Sequence, residues 1–181
     1  SEDGYLSGKM AAREVSGAME KGVYCYLKHF ALNDKEDGRN GMATFANEQA
    51  IREIYMKPFE LCVKEATATI SYTGEDGQMT TREIKATTAI MSAYNCIGTQ
   101  WAGGNYAMMT QVLRNEWGFD GMVMTDWWAN ENEDGLLRQE AAMVRAQNDI
   151  AMPVADEADS IVNAVNAGVL TLGEVQRSAI N

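Results

Sequence analysis

The 181 residues predict an α/β fold in which short strands and longer helices alternate around a parallel sheet. Three observations carry this expectation. Four short runs are nearly continuous in apolar or small residues, as strands covered on both faces require. Each run is followed by polar residues and then by a segment whose apolar residues recur at three- and four-residue intervals. The hydrophobic share, 46%, is enough to build one core in a chain of this length.

In chain order, a helix is predicted from Lys9 to Lys21, stopped by Gly22, ahead of a first strand Val23-Tyr24-Cys25-Tyr26-Leu27. Ile51, Ile54, Tyr55, Phe59, Cys62 and Val63 then share one helical face, with Asn47 as a cap and Pro58 as a kink. Between about residues 67 and 87 the rhythm changes. Thr69 to Tyr72 and Thr80 to Ile84 alternate around Gly74-Glu75-Asp76-Gly77, which predicts an inserted hairpin. The second strand is Thr88 to Ala93, and Tyr106, Met109, Leu113 and Trp117 form the next helical face, with Gly118 as its stop. The third strand is Met122 to Thr125, followed by a helix over about Leu136 to Ala146. The fourth is Asp149 to Met152, followed by a helix from Ala158 to Ala167 with Gly168 behind it. Four βα units are half of an eightfold barrel, which typically takes about 250 residues, so the pattern fits a smaller open sheet or a truncated barrel.

Charge and composition narrow the partners. Fifteen Lys and Arg against 26 Asp and Glu leave a net charge of −11, without a basic stripe, which argues against nucleic acid and anionic membrane. Neutral ligands such as sugars are compatible with that field. No apolar run approaches the roughly 20 residues needed to span a bilayer. Cys25, Cys62 and Cys96 lie far apart without metal-ligand spacing and are expected to be buried free thiols. Their odd number favours a reducing compartment, hence the cytoplasm. The chain lacks an initiator Met and a signal pattern, so the true N-terminus is expected upstream and secretion stays open. No glycine-rich phosphate cradle follows a strand and no Gly-x-Ser-x-Gly elbow occurs, so neither cofactor nor metal is expected and serine hydrolase chemistry drops out. The Met residues, 12 in all, read as core filler.

In a barrel of βα units the chemistry sits where strands end, which singles out Lys28-His29, Tyr94-Asn95, Asp126-Trp127 and Met152-Pro153. Asp126 is followed by Trp127 and Trp128, a carboxylate beside broad aromatic faces. Such rings stack on the C–H faces of pyranoses, and a carboxylate can stabilise or bond to an oxocarbenium ion. Taken alone, a strand-end Asp is more often a helix cap or loop anchor. His29, the lone histidine, could equally satisfy a backbone group, and Lys28 could snorkel to water or act as the Schiff-base amine of a barrel aldolase. Tyr94 could hold a neighbouring carboxylate or merely anchor its loop. The polar loop from Asn33 to Asn40 and the acidic run from Asn130 to Asp134 read as solvated.

Six ordered motifs then resemble glycoside hydrolase family 3. Ser1-Glu2-Asp3-Gly4-Tyr5-Leu6-Ser7-Gly8 is similar to the family's S-E-D-P-Y-L-S-G, with Gly4 for proline, and Lys28-His29-Phe30 to its K-H-F. Arg52 to Phe59 resembles R-E-x-Y-L-x-P-F, and Met91-Ser92-Ala93-Tyr94-Asn95 resembles M-x-x-Y-N. Leu113 to Gly121 and Val123 to Trp127 resemble L-R-x-E-W-G-F-x-G and V-M-S-D-W. The resemblance implies about four βα units from the second half of a (β/α)8 TIM-type barrel, spanning residues 1–181. It also implies a retaining, exo-acting β-glucosidase-like hydrolase, with Asp126 as nucleophile. Lys28 and His29 would bind sugar hydroxyls, Tyr94 would flank the nucleophile, Met91 would line the pocket and Trp127 would border the leaving group. The substrate would be a small oligosaccharide or glycoside. The first half-barrel and a following domain carrying the acid/base would lie outside the chain and act as its partners. Phe30-Ala31-Leu32-Asn33-Asp34 departs from the K-H-F-P-G-H-G of the N-acetylglucosaminidase branch, which is disfavoured. Trp128 stands where a small residue is frequent, so the resemblance carries no leaving-group preference. A xylosidase or phosphorylase variant of the scaffold and a catalytically incomplete sugar-binding fragment are the alternatives.

Overall fold

The structure, a computed structural model, describes residues 2–40, 42–129, 140–153 and 157–181. Helix α1 (Gly4–Met19) opens on Asp3, whose side chain accepts from the Leu6 amide at 2.9 Å. It therefore starts five residues earlier than the apolar spacing suggests, because the cap and not the periodicity sets its start. Strand β1 is Tyr26–Phe30, three residues later than expected. The Val23 amide still bonds to Ala18 O after the turn at Gly22 (φ 77°), and pairing begins only at Tyr26, opposite Ala89. A short β2 (Ala43–Thr44) precedes α2 (Glu48–Ala50), which Asn47 caps through the Ala50 amide. A π-helical turn, Ile51–Tyr55, leads into α3 (Lys57–Glu65). Pro58 lies in the first turn of α3, where its missing N–H costs no bond, so it begins a helix and does not kink one.

Residues 67–85 form the antiparallel pair β3 (Thr67–Thr73) and β4 (Met79–Lys85). Strand β5 (Ala89–Ser92) follows, then a small sheet in which β6 (Cys96–Ile97) pairs with β2 and with β7 (Gln100–Trp101). A single 3-10 turn, Ala102–Gly104, leads to a π-helix over Ala107–Glu116. The three- and four-residue spacing there predicts an α-helix; the wider winding buries Met108 and Thr110 alongside Met109 and Leu113. Its end is set by Gly118 at φ 72°, a conformation that a residue with a β-carbon disfavours. Strand β8 (Met122–Met124), α4 (Glu140–Arg145), α5 (Glu157–Asn166) and α6 (Leu172–Ile180) complete the order. The front of the helix expected from Leu136, like the acidic run Asn130 to Asp134, lies outside the described residues.

β1, β5 and β8 make one parallel sheet in that order, and a single parallel bridge from Met124 to Ile150 extends it to a fourth position. The fourth strand expected over Asp149 to Met152 is thus reduced to Ile150. The core fills the space between this sheet and its helices. Phe30, Ile90 and Val123, all fully buried, pack with Met109, Leu113 and Trp117, and the Phe30 ring meets Phe59 and Trp117 edge-on at 5.0 and 5.9 Å. Helix α1 lies directly on α3: a β-carbon on Gly8 would come within 2.7 Å of Leu61, so glycine permits the approach. Beneath them sit Ala12, Val15, Met19, Cys62 and Ala68. All three cysteines are free thiols, Cys62 and Cys96 buried as expected, Cys25 only half-buried. Among the described residues, no helix is long and apolar enough to cross a membrane.

Candidate active site

The carboxyl ends of β1, β5 and β8 bring together residues far apart in sequence. Asp126 follows β8 by two positions and is 8% exposed. Its main chain is held from the next unit of the sheet: the Thr125 amide donates to Ile150 O at 2.9 Å, the Met152 amide to Thr125 Oγ1 at 2.8 Å, and the Trp128 amide to Met152 O at 2.7 Å. One carboxylate oxygen, Oδ1, accepts from the Trp127 amide at 2.8 Å. The other, Oδ2, faces His29 Nε2 at 3.2 Å and Arg39 Nη1 at 3.3 Å. Both carboxylate oxygens are thus engaged, one by a backbone amide and the other beside a guanidinium.

β1 carries Lys28 and His29 inside the strand, not beyond its end, so the expectation that they follow a finished strand is corrected. Both still reach one side. Leu27 pairs with Ile90 and Phe30 with Ser92, so three steps on β1 oppose two on β5, and this bulge re-aims the two side chains. Burial pushes the His29 pKa below its usual value, against the pull of Asp126, and Lys28 and Arg39 push the same way as burial. Nε2 of this imidazole lies 3.2 Å from Asp126 Oδ2, so a proton on that nitrogen faces the carboxylate.

Arg39 is the residue missed by the sequence reading, which placed it in a solvated loop. Its guanidinium lies 4.0 Å from the Tyr94 ring centre and its Nη1 bridges Glu36 Oε2, at 2.9 Å, and Asp126. A planar cation can stack on an aromatic face and fork to carboxylates at once. Tyr94, buried directly after β5, thus flanks the carboxylate by way of Arg39. Its neighbour Asn95 is an anchor: fully buried, it donates toward Ala31 O and Thr44 Oγ1, both at 3.3 Å. Met91 lies in β5 opposite Met124, half-buried. The Trp127 and Trp128 rings meet edge-on at 5.2 Å and both stand about half exposed.

A cleft of about 740 Å³ is lined by Lys28 and His29 of β1 with Ser7, Asn33, Asp34 and Tyr55 among others. Asp126 is not in its lining. His29 joins the two features: one side of the imidazole faces the cleft, and Nε2 meets the carboxylate. No group of His, Cys, Asp and Glu among the described residues is arranged to hold a metal ion.

The profile of the glycosyl hydrolase family 3 N terminal domain matches residues 1–180. The chain belongs to glycoside hydrolase family 3. Within the family it is 40% identical to a Beta-glucosidase of Ruminococcus albus over all of this chain and 18% of that protein. It is 36% identical to an Exo-alpha-(1->6)-L-arabinopyranosidase of Bifidobacterium longum over 99% of this chain and 20% of that one. The structure of beta-glucosidase 3B from Thermotoga neapolitana superposes with a TM-score of 0.81 at 31% identity, over all of this chain and 23% of its own. A beta-glucosidase from Paenibacillus barengoltzii gives 0.80 at 38% identity, over all of this chain and 19% of its own. The parallel βα units are therefore part of the family's TIM barrel, and the chain spans about a fifth of the length of the relatives it matches.

Proposed function

We propose that this chain is the nucleophile-bearing part of a retaining, exo-acting family 3 hydrolase that removes terminal β-D-glucosyl or related residues from a small glycoside. The observation that carries the reading is the Asp126 carboxylate, nearly buried at the carboxyl end of the sheet, with Oδ2 held between His29 and Arg39. In the first step a carboxylate oxygen of Asp126 bonds to the anomeric carbon while the bond from that carbon to the leaving oxygen breaks. The leaving oxygen takes a proton from a second carboxylic acid, which double displacement places about 5–5.5 Å from the nucleophile. In the second step that carboxylate removes a proton from water, the water oxygen bonds to the anomeric carbon, and Asp126 is released. We assign the acid/base to sequence outside residues 1–181.

Lys28 and His29 bind hydroxyls of the sugar in the cleaved subsite, Met91 lines that subsite, Tyr94 steadies Arg39 beside the carboxylate, and Trp127 borders the leaving group. Hydrogen bonds from such groups strengthen as positive charge grows on the ring. The matching relatives named for β-glucosides and for an arabinopyranoside support a pyranoside substrate and leave room for a pentopyranosidase variant. For the 181 residues alone, which span about a fifth of those relatives, sugar binding without turnover is the second reading. The test is a 2-deoxy-2-fluoro-β-glucosyl inactivator applied to the full-length protein carrying this chain. Mass-spectrometric mapping is expected to find the adduct on Asp126, and Asp126→Ala to lower turnover by several orders of magnitude with the fold intact. An adduct on any other residue sinks the assignment.

A further inference from the structure

We propose that Glu36 is a positioning residue of the hydrolase: it holds Arg39 beside Asp126 and stays behind as the counter-charge of that guanidinium once Asp126 has bonded to the sugar. The inference rests on Asp126 as nucleophile and adds to that reading a residue that acts through Arg39.

Arg39 lies in the loop between β1 and β2, whose described residues form neither helix nor strand. Its place is set locally instead. The Arg39 amide donates to Glu36 O at 3.2 Å, and Arg39 Nη1 meets Glu36 Oε2 at 2.9 Å, so backbone and side chain close the same turn. Gly38, at φ 67°, lets the chain reverse between them. Glu36 is held in its turn, because Asn33 Nδ2 donates to Oε1 at 3.1 Å. The same Nη1 reaches Asp126 Oδ2 at 3.3 Å, longer than the roughly 2.7–2.9 Å of a bond between charged partners. The shorter contact is thus the one to Glu36, and the Tyr94 ring supports the guanidinium from 4.0 Å. With side chains 64% and 29% exposed, the Glu36–Arg39 pair contributes little to folding.

Its consequence lies in the first chemical step. Before the sugar arrives, two carboxylates share one guanidinium. When an Asp126 oxygen bonds to the anomeric carbon and the leaving oxygen departs with a proton from the second carboxylic acid, the Asp126 carboxylate becomes a neutral ester. Arg39 would then be a part-buried cation deprived of a partner, a costly state. With Glu36 in place the guanidinium keeps a carboxylate at 2.9 Å throughout, so the charge that leaves Asp126 strands nothing. Removing Glu36 also frees Arg39 to close on Asp126, which stabilises the protein before attack and not after it. Both effects slow formation of the ester.

The experiment measures how fast 2-deoxy-2-fluoro-β-glucosyl fluoride inactivates the full-length protein and its Glu36→Gln, Arg39→Ala and doubly substituted variants, a rate that reports formation of the ester. Asp37→Asn, the same charge change at the next, exposed position, is the control. Glu36→Gln is expected to slow inactivation roughly 3- to 30-fold, within the range of coupling between contacting side chains, at an unchanged melting temperature. In the Arg39→Ala background the same substitution is expected to change the rate by less than about twofold, because the group through which Glu36 acts is gone. Equal slowing in the two backgrounds, no slowing in either, or as large a loss in Asp37→Asn overturns the proposal. Mapping the label separates the two readings: an adduct on Asp126 at a rate indifferent to Glu36→Gln removes only the role of Glu36, and an adduct elsewhere removes the nucleophile.

Discussion

Arg39 and His29 share one acceptor, Asp126 Oδ2, and differ in what they contribute. Arg39 supplies a permanent charge, and a hydrogen bond to a charged group contributes about 1.5–3 kcal/mol. Arg39→Ala is therefore expected to lower kcat/KM by roughly 10- to 100-fold. Arg39→Lys should recover only part of this, because an ammonium neither forks to Glu36 and Asp126 nor stacks on Tyr94 in the same way. Steady-state kinetics on the two variants check both. His29 has its pKa lowered chiefly by burial. Above pH 6.5 it is neutral in both folded and unfolded chains and adds no pH dependence. As pH falls below 6.5 the unfolded chain binds the proton first, so stability drops toward the folded pKa. Thermal melts at pH 7.5 and 5.5 should show a smaller acid-side loss in His29→Gln than in the parent. At this scale the sequence singles out Asp126 because its place just past a short apolar run is a local property, whereas His29 lies within its strand and faces Asp126 from across the sheet. Arg39 was illegible: it lies in a run with Asp34, Glu36 and Asp37 that resembles any solvated loop, and its partners Tyr94 and Asp126 come from two other strands.

Elements defined by local chemistry read well from sequence, and those defined by distant pairing did not. Asn47, Gly118 and Gly168 mark helix ends that the structure contains. Helix α6 went unread although Thr171 and Glu174 make a reciprocal capping box across its first turn. The first strand was placed early because Val23 and Tyr24 are apolar, yet they are 55% and 69% exposed and pairing decides the strand. Between elements, Arg114 of the second π-helix ties the carboxyl half together. Its guanidinium donates to Asp149 Oδ2 at 2.7 Å, to Gln147 O at 3.0 Å and to Gly121 O at 2.8 Å, and Asp149 also accepts from the Val123 amide at 2.9 Å. Burial opposes both charges, so the pair holds through geometry. Removing one member strands the other: Arg114→Met is expected to cost about 3–5 kcal/mol in urea unfolding of the full-length protein. An Arg114→Lys variant should lose nearly as much, since one ammonium cannot reach all three acceptors.

On the scale of the molecule, the alternation of strands and helices was enough to expect βα units, and length was enough to expect fewer than eight. What alternation cannot show is where the sheet ends. β1 pairs only with β5 among the described residues, and Tyr24 and Tyr26, just before and at the start of β1, are exposed. An open parallel edge with exposed apolar neighbours invites pairing with another chain. Residues 1–181 expressed by themselves are thus expected to self-associate and to hydrolyse no aryl β-glucoside. Light scattering and a chromogenic assay read both outcomes, and a turning-over monomer would show the barrel boundary or the acid/base to be misplaced.

The bonds that fix Thr125 and Trp128 to Ile150 and Met152 bear on the thermodynamics of activation as well as on position. A carboxylate on a loose loop would surrender rotational freedom each time a sugar approached, and that loss would recur as an unfavourable activation entropy. Here the residues on either side of Asp126 are tied to the next unit of the sheet by hydrogen bonds from Thr125, Trp128 and Met152. On the proposed role of Asp126 as nucleophile, that ordering is completed during folding and is not repeated at each approach of a sugar.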